Sequence, residues 1–142
     1  MLLSGIASVL ILTGCSPSQP AVSDWRSSAR QTLQDTVSEV ESVALVLDLQ
    51  SEDRLPGRSA RVAAVESEES LATTEESFSS QQPPPGTGRD DTELSDLLGR
   101  ATDLVREARI ALTADEEATY DDLRTRLKEL SDDLDTAMEA IG

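Results

Sequence analysis

The sequence predicts an all-α protein: an up-down bundle of four helices, built as two antiparallel αα-hairpins, with an N-terminal signal segment set apart. Three observations lead there. Apolar residues recur at alternating steps of three and four along stretches of 20 residues and more. Pro and Gly punctuate the chain at two places, around Pro56-Gly57 and in Pro83-Pro84-Pro85-Gly86. The last two periodic stretches meet at Thr113-Ala114 with almost no connection, which folds them back on each other.

Residues 1–14 begin with MLLSGIASVLILT, an uncharged apolar run. It is shorter than the roughly 20 residues needed to span a bilayer. The flank after it, CSPSQPAVS, carries prolines and small polar residues that would not continue a helix. A cleavable export signal is expected. Residues 15–22 then read as a Ser/Pro tether. At about 3.3 Å per residue, 16–22 reach at most about 23 Å.

Helix 1 is expected over 23–50. Trp25, Ala29, Leu33, Val37, Val40, Ala44 and Leu47 lie on one face, and 43–49 is apolar nearly all round, which marks that end as the most buried. Helix 2, over 59–79, has the weakest pattern. Ala64, Leu71 and Phe78 repeat at seven, as do Val65 and Ala72, but Glu68 and Glu75 interrupt the stripe. The segment 80–91 reads as an extended proline-rich spacer.

Helices 3 and 4, over 92–112 and 114–141, carry the strongest signal. Leu94, Leu97, Ala101, Leu104, Ala108 and Ala111 form one seam. Tyr120, Leu123, Leu127, Leu130, Leu134, Ala137 and Ile141 form the other. Alternating alanines on helix 3 would admit the leucines of helix 4. Thr113 and Glu116 have the spacing of a capping box. Asp96–Arg100 and Asp122–Arg126 are acid-first pairs four residues apart. The alternative architecture is an elongated hairpin that completes its core with a second molecule, a homodimer.

The 142 residues carry 12 basic against 28 acidic side chains, a formal charge of −16. Such a field repels phosphates, so nucleic acid is not an expected partner. A basic partner fits the charge. Leu, Ile, Val and Phe make up about one residue in five from Cys15 onward, near the level at which charged chains stay disordered. The helical periodicity is what argues for a fold. Trp25, Phe78 and Tyr120 are the only aromatics, so the core is expected to be aliphatic and thin.

With one Cys and no His, the sequence has no intramolecular disulfide and no Cys/His metal site. The residues Leu12-Thr13-Gly14-Cys15 resemble the bacterial lipobox, in which a leucine and two small residues precede a cysteine. The resemblance implies that Cys15 receives diacylglyceryl on its thiol, and that Leu12, Thr13 and Gly14 present the cut to a dedicated signal peptidase. Two acyl chains anchor stably, at about 0.8 kcal/mol per buried CH₂. The chain departs from the pattern in having no Lys or Arg before the apolar run. As a whole it resembles the small acidic lipoproteins of actinobacteria, a likeness that carries no activity with it.

Catalytic arrangements fail in turn. No His is present for a nucleophile–His pair, no Gly-x-Ser-x-Gly elbow occurs, and Gly86-Thr87-Gly88 lacks the rest of a phosphate loop. Adjacent acids such as Asp121-Asp122 and Asp132-Asp133 point to different helix faces and read as a solvated surface. No catalytic residue, metal or cofactor is therefore expected. The expected function is that of a non-enzymatic envelope lipoprotein on the extracytoplasmic face of the membrane, binding a protein partner or acting as a spacer. The alternative is a small-molecule or cation-binding lipoprotein with a site between helices.

Overall fold

A computed structural model describes residues 21–141. They form four long helices: α1 (Val22–Ser51), α2 (Gly57–Ser79), α3 (Gly88–Ala114) and α4 (Tyr120–Ala140). A single 3₁₀ turn, Glu117–Thr119, precedes α4. Among the described residues there is no strand, and no helix is long and apolar enough to cross a membrane. The expected all-α bundle is what forms.

Side-chain links fix the topology. Trp25 near the start of α1 meets Phe78 at the end of α2, with ring centroids 6.4 Å apart. On the next pair, Glu68 binds Arg106 and Arg109, whereas Glu75 accepts a hydrogen bond from Thr102. Arg100 meets Asp133 and Arg126 meets Glu107 across α3 and α4. Glu41 meets Ser131 and Asp48 meets Arg124 across α1 and α4. In the last three pairs residue numbers rise on one helix as they fall on the other, and Trp25 and Phe78 join the start of α1 to the end of α2, so every neighbouring pair is antiparallel. The most extensive contacts are α1 on α4 and α2 on α3, and α1 also reaches α3 across the diagonal. The α3–α4 pair, strongest in the sequence, is the loosest of the four neighbouring packings.

Burial explains this order. On α3 the expected seam is buried, but so are Leu98, Thr102, Val105 and Leu112. A second buried column is what a helix touching three others requires. On α1, Thr32, Thr36, Val43 and Val46 join the buried face, while Val37 and Ala44 sit at its edge. The Thr36 hydroxyl is satisfied within the helix by donating to the Thr32 carbonyl at 2.8 Å. Not all of 43–49 is buried: Leu45 is 56% exposed. The Val65–Ala72 column of α2 is likewise on the outside, and the inner face of that helix is Ala60, Ala64, Ser67, Leu71 and Phe78.

Besides small shifts at the start of α2 and the ends of α1 and α4, three expected boundaries move. α3 starts at Gly88, so the spacer shortens to 80–87. Only part of it is extended, because Pro84 to Thr87 close a type II turn. The Thr87 amide donates to the Pro84 carbonyl at 3.2 Å, and Gly86 takes φ 95°, a conformation that favours glycine. The Asp90 and Asp91 carboxylates then lie in the first turn of α3, where the helix dipole favours them.

The second boundary is the end of α3. Thr113 lies inside that helix and its hydroxyl donates to the Arg109 carbonyl, so the expected capping box with Glu116 is not made. Buried Ala111 and Leu112 hold the last turn in the core, and Asp115 ends it in the left-handed conformation at φ 58°. Helix 4 consequently begins at Tyr120 rather than at 114. Third, the expected tether loses its last residue to α1, which begins at Val22.

Candidate functional site

The residues to which the sequence assigns chemistry, Leu12, Thr13, Gly14 and Cys15, lie outside the described residues. Within the bundle, the surface features that could engage another molecule gather around α4. A groove of about 680 Å³ runs between the start of α3 and the end of α4, over Leu97 and Ala137. A second, of about 670 Å³, continues along the same seam over Leu104 and Leu130. The Arg100–Asp133 ion pair, at 2.9 Å, borders both. On the other side of α4, a groove of about 480 Å³ separates it from α1.

The pattern of α4 explains why it stands between grooves. It buries a single narrow stripe, Tyr120, Leu123, Leu127, Leu130 and Leu134, with Ser131 beside it. The rest of its surface is polar, and seven of its 21 residues are Asp or Glu against three Arg or Lys. Single-stripe packing leaves clefts on both flanks of α4.

Most arginines are held by carboxylates. Arg126 makes two bonds to Glu107, both 2.8 Å, and approaches Asp122 at 3.5 Å. Of the two acid-first pairs read from the sequence, that one forms; Arg100 turns instead to Asp133 on the next helix. Hydrogen bonding to Arg126 lowers the Glu107 carboxyl from its ordinary range and raises the guanidinium. A carboxyl lowered by folding stabilises the fold above the unfolded value, near 4.3, and loses that contribution as pH falls through the folded value. Both side chains are about half exposed, so screening keeps the effect under about 1 kcal/mol. Glu107→Gln should therefore lower stability slightly at pH 7, and its gap from the unsubstituted chain should narrow as pH falls through the folded value of Glu107. Urea titrations at neutral and acidic pH measure it, and a gap that widens on acidification would contradict the assignment.

At the end of the bundle distant from Val22, the Tyr120 hydroxyl is buried without a hydrogen-bond partner. Burial first, then the nearby Asp115 and Glu117, raise its pKa. Glu68 and Glu75, which interrupt the apolar stripe of α2, are the residues that bind α3. Their role was concealed because sequence periodicity reads polarity without partners. Among the described residues, no three side chains of the kinds that bind metals converge to hold an ion. Compared with known protein families, curated proteins and solved structures, the chain matches none.

Proposed function

We propose that this chain is a lipid-anchored extracytoplasmic module that binds a protein partner at the membrane, or spaces one from it, and performs no chemistry on a substrate. One observation carries the reading: Leu12-Thr13-Gly14-Cys15 stands directly behind an uncharged apolar run, and Cys15 is the only thiol in the chain. The fold supports it with a four-helix body suited to such a role. α1 has 30 residues and is therefore about 45 Å long. With lipid on Cys15, the end holding Val22 and Trp25 faces the membrane. The far end, with Asp53 and Asp115, is carried outward beyond it.

A clickable fatty acid supplied to cells making the full chain should label it and leave it in the membrane fraction. Cys15→Ala should lose both label and membrane association. Equal labelling of the two proteins would refute the anchor.

A further inference from the structure

We propose that the groove between α1 and α4 around Leu45 docks a cationic amphipathic helix of a partner protein, an inference that gives a place and a chemistry to the partner-binding reading above. Polar links bound the groove lengthwise. At one end the Ser131 hydroxyl donates to Glu41, and at the other Arg124 binds Asp48. Between them, over about two helical turns, half-buried Ala44 and exposed Leu45 offer the apolar surface, with Leu127 buried beneath. Leu45 is the most exposed large hydrophobic side chain among the described residues, at 56%. The groove's volume of about 480 Å³ falls in the range of ligand clefts, roughly 300–1,000 Å³.

Charge selects the occupant. Glu41, Asp48, Asp132 and Asp135 border the groove against Arg124 and Lys128, and Arg124 is already bound to Asp48 and Asp121. Asp132 and Asp135 have no ion-pair partner among the described residues, so they are free to take basic side chains flanking an apolar stripe. Helix-in-groove docking of this kind uses anchors at i, i+3, i+4 and i+7. A second copy of this chain would bring one −16 body against another. The exposed Val65 on the α2–α3 side lacks this selectivity, since Glu68 and Glu69 there are balanced by Arg106 and Arg109.

The test is a titration of the full chain carrying Cys15→Ser, which has no lipid and so reads the groove whether or not the anchor reading holds. The probe is a labelled 18-residue Leu/Lys peptide with leucines at helical spacing. A scrambled peptide of the same composition serves as its control, both at 150 mM NaCl. The ordered peptide should bind at least tenfold more tightly than the scrambled one. Leu45→Gln should weaken it at least tenfold and Ile110→Gln, a comparably exposed site on α3, by less than twofold. Asp132→Asn with Asp135→Asn should also weaken binding and flatten its salt dependence. Circular dichroism verifies that each variant is folded. No binding, equal binding of the two peptides, or equal loss from Leu45→Gln and Ile110→Gln would overturn the proposal. So would a self-associated chain that Leu45→Gln renders monomeric.

Discussion

Trp25→Ala should cost about 3–5 kcal/mol, the range for truncating a buried Trp or Phe, and so remove much of a stability that for a domain of this size is about 5–15 kcal/mol. Trp25 is 2% exposed and packs obliquely on Phe78, which is equally buried. These are two of only three aromatics in the chain. Truncation therefore opens a cavity at the end of the bundle where α1 starts and α2 stops. The same end is held outside the core by the Ser28 hydroxyl donating to Gln81 at 3.0 Å, an exposed bond that cannot replace the lost packing. One feature works in the other direction. The Trp25 indole N–H is buried without a partner, so its removal relieves an unsatisfied donor and places the loss toward the lower end of the range.

Trp25→Phe separates the two contributions, because it deletes the N–H and keeps most of the ring. It should cost less than about 1.5 kcal/mol. With a urea slope of about 1–3 kcal/mol/M, the Ala variant should unfold at a midpoint lower by about 1–3 M. Far-UV circular dichroism is the measurement, since Trp25 is the only tryptophan and its fluorescence is lost with it. A midpoint unchanged within about 0.3 M would mean that this end of the bundle is not packed as described.

The helices themselves were legible because their signal is local. Every residue of the α4 seam from Tyr120 to Leu134 is buried, and α1 was placed to within one residue at each end. What was not legible depends on the number of neighbours. A three-four repeat identifies one face of a helix, and α3 touches three others, so the repeat does not reveal its second column of Leu98, Val105 and Leu112. Leu45 erred in the opposite sense. An all-round apolar segment looks buried in sequence, yet α1 has a side that no helix covers. Boundaries moved where tertiary packing outweighed a local motif. Thr113 and Glu116 have the spacing of a cap, but Leu112 is 2% exposed, and keeping it in the core carries α3 past the motif. The grooves beside α4 were invisible for a related reason, because a cleft is a property of two helices and neither contains it.

Ala108→Leu should destabilise the bundle by about 1–3 kcal/mol, because its site is full rather than empty. Ala108 is 0% exposed, as are Ala101 on the same seam and Ala60 and Ala64 on α2. On α3, Thr102 and Arg109 mark the side that meets α2, and Arg100 and Glu107 mark the side that meets α4, so Ala101 and Ala108 lie between them and point into the middle of the bundle. A leucine at 108 adds three carbons at a position with no exposed surface. α3 must then move out or the side chain must leave its preferred rotamer. Helix propensity offers no compensation, since Ala is already the best helix former. Ala72→Leu is the matched control: it adds the same atoms on the exposed face of α2 and should change stability by less than about 0.5 kcal/mol. In the sequence Val65 and Ala72 share the seven-residue repeat of Ala64, Leu71 and Phe78, and burial of both columns would predict a core effect at both sites. The pair of variants therefore tests the rotation of α2 as well as the packing of α3. If Ala108→Leu raised the urea midpoint, the extra carbons would have filled a void, and the site around Ala108 would not be full.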